Sequence, residues 1–182
     1  MANMGLLSRD NPVFAAYAFY SALLAFKMLA VVLLTARQRF KKSIFASPED
    51  AKMHPKAKVK HDDPDIERVR RAHLNDLENI PMFWIVGLLY VLTEPSAFLA
   101  INLFRAYFVA RSLHTFVYAV IVLPQPSRAL AFFAGLGVTI YMAVQDYRNQ
   151  FLVIYYLAFA AASTSHGTIS KVTANGIEFS KR

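Results

Sequence analysis

Four long apolar stretches, separated by short polar breaks, set the pattern of this chain. From Pro12 to Ala36 only Tyr17, Tyr20, Ser21, Lys27 and Thr35 interrupt the apolar run. Twenty-five helical residues at 1.5 Å each reach roughly 37 Å, more than a hydrocarbon core of about 30 Å. The run is too long for the apolar core of a cleaved signal peptide. Arg9 is the single basic residue ahead of it, and no A-x-A-like site closes it. It reads as a retained first transmembrane helix, which Arg37 to Lys42 continue into the headgroup region, giving 12–42. Further apolar periods predict helices over about 65–93, 97–123 and 127–146. Glu94-Pro95-Ser96 and Pro124-Gln125-Pro126-Ser127 supply the breaks. Connections this short make neighbouring helices antiparallel. The expectation is an all-α integral membrane protein, a four-helix transmembrane bundle over residues 1–150. A C-terminal extension follows over 151–182: a short apolar segment, 151–163, that spans or lies on the membrane, and a flexible tail from Lys171.

The polar positions within these helices are the informative ones. Glu67 to Glu78 contributes eight polar residues and leads directly into an apolar segment. At 3.6 residues per turn, Glu67, Arg71, Asn75 and Glu78 share one face and His73 lies roughly opposite. Lys27 sits deep in the first helix, where an unpaired ion costs several kcal/mol, so it is expected to pair with Asp76 or Glu78. On the third helix Tyr107, Arg111, His114, Thr115 and Tyr118 fall on one face. Such a seam can glue helices together by hydrogen bonds. Arg with His on an intramembrane face points further, to function.

Composition supports the membrane reading. The chain is 56 % hydrophobic and 18 % charged, against about 25 % charged in soluble domains. The net charge of +8 does not indicate nucleic acid, because eleven of the twenty Lys and Arg lie between Arg37 and Arg71. That bias places the 37–71 loop on the cytoplasmic side and gathers Arg39, Arg71 and Arg128 at that face. Within the loop, Ser47-Pro48-Glu49-Asp50 reads as a helix start. Lys52 to Asp63 lacks periodicity and is expected to be a mobile or ligand-covering loop. There is no cysteine, hence no disulfide framework or thiolate ligand. No H-x-x-x-H pair or carboxylate triad supports a metal, and no phosphate-binding glycine loop supports a nucleotide. Arg, His, Asn, Glu and Tyr together suit a small anionic or zwitterionic ligand or a lipid headgroup.

The stretch Glu67-Arg68-Val69-Arg70-Arg71-Ala72-His73-Leu74-Asn75-Asp76-Leu77-Glu78-Asn79 closely resembles the signature of the MAPEG family, membrane-associated proteins in eicosanoid and glutathione metabolism. Phe45-Ala46-Ser47-Pro48-Glu49-Asp50, Arg111-Ser112-Leu113-His114-Thr115 with Tyr118, and Leu123-Pro124-Gln125-Pro126-Ser127-Arg128-Ala129-Leu130 resemble further family motifs, in family order. They cover roughly residues 12–146, and the likeness is greatest to the family's microsomal glutathione transferase branch. The resemblance implies a homotrimer in the endoplasmic reticulum membrane and also the outer mitochondrial membrane. It implies glutathione as co-substrate, bound between subunits near the cytoplasmic face by Arg39, Arg71, His73, Asn75, Glu78, Arg111, Tyr118 and Arg128. Arg128 would be catalytic, with Asp50 and His114 in support and no metal.

The implied activity is transfer of glutathione to hydrophobic electrophiles, a detoxification reaction, together with reduction of lipid hydroperoxides. Two alternatives belong to the same family: a prostaglandin E synthase-like isomerase and a non-catalytic lipid-binding scaffold. Leu74 stands where the synthase branch has an arginine, and Ala129 where it has a serine, which disfavours the isomerase. Ala51 replaces a cysteine that related transferases can carry, so thiol-based activation there is excluded.

Overall fold

The computed structural model describes residues 5–52 and 54–178, with side chains as far as Phe159. In chain order the elements are α1 (Pro12–Lys42), β1 (Ile44–Phe45), α2 (Pro48–Lys52), β2 (Lys58–Val59), α3 (Pro64–Leu92), α4 (Ala97–Thr115) and α5 (Ser127–Glu178). The two long helices before residue 93 start by the same device, a capping side chain followed by proline. Asn11 accepts from the N–H groups of Val13 and Phe14 ahead of α1, and Asp63 from those of Asp65 and Ile66 ahead of α3. Helix α1 ends where Ser43 takes a left-handed conformation, φ 56°, and its N–H returns to the carbonyls of Arg39 and Phe40.

Three boundaries depart from the sequence expectation. Helix α4 stops at Thr115 and continues as a π-helical turn, Phe116–Val120, rather than running on to 123. Pro124 lacks the N–H that a further α turn would need. Helix α5 does not end at 146. The polar stretch Gln145–Gln150 contains no proline or glycine, so nothing there breaks the backbone ladder, and helix continues to Glu178. The tail expected from Lys171 therefore begins inside α5, and residues 179–182 lie outside the described residues.

The connection between α1 and α3 is more ordered than its lack of periodicity predicts. Ser47 Oγ accepts from the Asp50 N–H at 3.3 Å, starting α2 as its sequence implies. β1 and β2 then pair in parallel, Ile44 opposite Lys58 and Phe45 opposite Val59. The base of the connection is latched. Lys42 Nζ donates to Asp63 at 2.8 and 3.0 Å and also reaches Asp65. The Lys42 ammonium, ahead of the backbone N–H groups of Ile66 and Asp65, holds the Asp63 carboxyl below the usual carboxylate range.

A depressed carboxylate contributes stability that is present above its unfolded pKa, about 4, and is lost as pH falls through the folded value. Amide exchange across residues 43–62, corrected for intrinsic rate, should therefore accelerate as pH drops below about 4. Asp63→Asn still caps α3 but weakens the latch, so it should show part of that acceleration already at neutral pH. Identical exchange in the two proteins at both pH values would remove the latch from the account.

The chain divides into two compact units, one ending at Ala143 and one beginning at Val144. In the first, α1, α3 and α4 pack around a core that includes Leu24, Ile80, Phe83, Phe104, Tyr107 and, from α5, Met142. Phe83 and Tyr107 stack at 4.0 Å. Tyr17 and Tyr107 spend their hydroxyls on the α3 carbonyls of Trp84 and Asn79, at 2.7 and 2.9 Å, so neither phenol is left unpaired. At Gly135 of α5 a Cβ would lie 3.3 Å from Cδ of Arg111, and the glycine thus permits close approach to α4. The outer surfaces stay apolar: Phe98 is 81 % exposed, Leu33 70 % and Phe26 69 %. Surfaces of that kind suit lipid rather than water. By length and composition, Pro12–Lys42 and Ser127–Phe159 are each able to cross a membrane. In the second unit, Phe151 to Tyr156 is a continuously exposed apolar stretch.

Candidate functional site

The centre of the polar interior is Asp76, fully buried on the core face of α3. Its Oδ2 accepts from Lys27 of α1 and, at 3.3 Å, from Thr115 of α4. Its Oδ1 accepts from Arg111 Nη2 at 2.7 Å. The expected partner of Lys27 is Asp76 or Glu78, and helix phase decides between them. Asp76 shares the inward face with Ala72, Ile80 and Phe83, whereas Glu78, two residues on, is turned about 200° away and is exposed. Arg111 is 1 % exposed. Its Nη2 also donates to Asn75 Oδ1 at 2.8 Å, tying the interior to a half-buried position on α3.

Around Asn75, the residues expected from the sequence form a first group. Arg71 Nε donates to the Tyr118 hydroxyl at 3.3 Å. The Arg128 guanidinium lies over the Tyr118 ring, 4.5 Å from its centroid. His114, buried, meets the same ring edge-on at 5.6 Å. Three elements thus converge: α3 supplies Arg71 and Asn75, α4 with its π turn supplies His114 and Tyr118, and the first turn of α5 supplies Arg128. A cation held against a π face keeps its N–H edges available for an anion. Arg128 also lies beside the N-terminus of α5, where the dipole favours negative charge and opposes a cation.

The remaining residues fall elsewhere on the same chain. His73, on the opposite side of α3 from Arg71, lines with Arg39, Arg70 and Thr35 a groove of about 420 Å³ between α1 and α3. Arg39 also borders a second groove, of about 280 Å³, with Phe45, Asp50 and His54. Arg39 Nη1 is buried without a hydrogen-bond partner. Arg39, His73 and Asp50 therefore make a second group, apart from Arg71, Asn75, Arg111, His114, Tyr118 and Arg128. Sequence reasoning missed Arg70 as a lining residue, although its i, i+3 spacing from His73 carried the signal. His54, stacked on Phe45 at 5.4 Å, had no signal, because that contact depends on how the connection folds back.

Residues 17–146 match the model of the MAPEG family. The chain belongs to the MAPEG family. Among MAPEG proteins it is 48 % identical to microsomal glutathione S-transferase 1 of Bos taurus over 147 residues, 79 % of this chain and 94 % of the relative. The human protein of that name is 46 % identical over 138 residues, 74 % and 88 % of the two chains. Prostaglandin E synthase of Bos taurus is 39 % identical over 132 residues, 72 % and 86 %. Both residue groups lie inside the MAPEG match. Most of the second unit lies beyond it.

Proposed function

We propose that this MAPEG protein is a membrane-bound glutathione transferase that joins glutathione to hydrophobic electrophiles. The observation carrying this reading is the cation group Arg71–Tyr118–Arg128 at the start of α5, in a chain 48 % identical to a microsomal glutathione S-transferase 1. A thiol with pKa near 8.5 is largely protonated at neutral pH and becomes a nucleophile as thiolate. Arg128 and the helix N-terminus stabilise that thiolate. Its sulfur then attacks the electrophilic carbon, forming a C–S bond as the leaving group departs with the bonding pair. With a lipid hydroperoxide the same thiolate attacks the terminal peroxide oxygen. A second glutathione completes the reduction, giving alcohol, water and glutathione disulfide.

The two residue groups lie on different sides of one subunit, which suits a homotrimer of four-helix subunits with each glutathione between neighbours. Arg39, His73 and Asp50 would then come from one subunit. Arg71, Asn75, Glu78, Tyr118 and Arg128 would come from the next, with Arg111 and His114 behind them. The 37–71 connection would face the cytoplasm from the endoplasmic reticulum or outer mitochondrial membrane. The exposed apolar surfaces of α1 and α5 give electrophiles dissolved in lipid a route to the sulfur.

Purified protein in lipid should convert glutathione and a hydrophobic aryl halide to the thioether. It should also consume a fatty-acid hydroperoxide with two glutathione per peroxide. Glutathione binding without turnover on either substrate would leave a non-catalytic lipid-binding scaffold. Isomerisation of a prostaglandin endoperoxide without thioether formation would move the chain to the synthase reading.

A further inference from the structure

The network around Asp76 determines which end of the Asn75 amide the ligand meets. An arginine side chain has five donors and no acceptor, so whichever Asn75 atom faces Arg111 must be its oxygen. Arg111 is held at Nη2 and packed at Cδ, while its Nε is buried without a hydrogen-bond partner. Asp76 Oδ1 takes Nη2 at 2.7 Å, and the same nitrogen reaches Asn75 Oδ1 at 2.8 Å. Gly135 closes over its Cδ, since even a methyl group there would sit 3.3 Å away. Asp76 is in turn held from its other oxygen by Lys27 and Thr115, so it cannot follow Arg111 outward. The Asn75 side-chain carbonyl is thereby turned to Arg111, and its NH₂, on the other branch of the planar amide, is left to donate away from that cation.

We infer that Asp76 is a positioning residue: acting through Arg111, it fixes the Asn75 amide so that this point of the site accepts a carboxylate or carbonyl oxygen of the ligand and rejects a donor. The inference rests on the reading of Asn75 as a glutathione contact. Lys27 and Thr115 belong to the same device, one element further back.

Compare binding of glutathione with binding of its two monoamides, in which the glycyl or the γ-glutamyl carboxylate is converted to a carboxamide. Full-length protein in lipid nanodiscs is used throughout, and the readout is the ratio of Kd values, which does not depend on the fraction folded. Wild type should bind one monoamide about tenfold or more weakly than glutathione, the loss expected for a charge-assisted hydrogen bond. Asn75→Asp keeps an oxygen for Arg111 but presents an acceptor outward, so it should reverse that preference.

Asp76→Asn leaves one amide oxygen between two cations. Arg111 loosens, and discrimination should fall to within about threefold. Lys27→Met with Asp76→Asn removes the competing cation. The introduced amide oxygen then returns to Arg111, and the wild-type ratio should be restored. An unchanged ratio in Asp76→Asn, or no recovery in the double variant, overturns the positioning role. No preference between the ligands in wild type, or no effect of Asn75→Asp, overturns the contact itself and with it the reading on which the role rests.

Discussion

Asp76→Ala should be the most damaging single substitution in the first unit, lowering stability by about 3–5 kcal/mol. The reason is charge count. Lys27, Arg111 and Asp76 form one buried cluster in which two cations share one anion. Removing the carboxylate leaves two cations facing each other, each desolvated, and strands the Thr115 hydroxyl. Lys27→Met acts in the opposite sense. It leaves one anion and one cation, still bonded at 2.7 Å, and puts an apolar side chain where an ion was buried. That change should cost less than about 2 kcal/mol.

Thermal unfolding in detergent should show Asp76→Ala melting about 10 °C below wild type, with Lys27→Met near wild type. The reverse order would mean that Lys27, not Asp76, is the hub. Near-equal melting of Asp76→Ala and wild type would mean that water reaches the cluster and screens it.

Arg128→Ala should lower the rate of conjugation at neutral pH about 25-fold, the change in thiolate fraction at about pH 7 for a thiol pKa moved by about two units, while leaving a folded protein. Two pKa units of thiolate stabilisation correspond to about 2.7 kcal/mol, a magnitude within reach of one close guanidinium near a protein surface. Removal exposes only the face of the Tyr118 ring on which Arg128 rests. The core is untouched. The sign is fixed by which form is stabilised. A lowered thiol pKa lets activity rise with a midpoint at about pH 6.5, and without Arg128 that midpoint should move toward the free thiol value of about 8.5.

Ultraviolet thiolate absorbance of bound glutathione against pH separates this role from simple binding. In Arg128→Ala the titration should move upward even at saturating glutathione. Arg128→Lys, which keeps the charge but loses the planar fork, should recover part of the shift. Loss of affinity with an unmoved titration would make Arg128 an anchor for a carboxylate instead.

Much of the fold is legible along the chain because a bilayer demands long apolar runs and each break has local chemistry. Asn11 with Pro12 and Asp63 with Pro64 begin helices by side-chain capping, which needs only neighbours in sequence. The seam on α4 is legible for the same reason: Tyr107, Arg111, His114 and Thr115 share a helical face and all are buried. The family follows from motifs whose order and spacing are linear properties.

Partnership is a different matter. Helical spacing shows that Asp76 and Glu78 point apart, but not which of them faces α1, and only packing of Ile80 and Phe83 into the core turns Asp76 inward. The latch of Lys42 on Asp63, the pairing of β1 with β2 and the stacking of His54 on Phe45 all lie in a segment without periodicity, where contacts are made by chain reversal. The C-terminal limit of the fourth helix is misplaced when polarity is equated with a break, since Gln145 to Gln150 has no residue that disrupts a helix.

Membrane class, helix starts, family and the identity of the polar residues are all settled by linear order. They depend on composition and on periods of 3.6 residues. That Asp76 is the hub, that Arg128 rests on Tyr118, and that Arg39 and His73 stand apart from both are settled only on folding. Each of those is a relation between residues far apart in the chain, fixed by how apolar faces interlock rather than by any spacing along it.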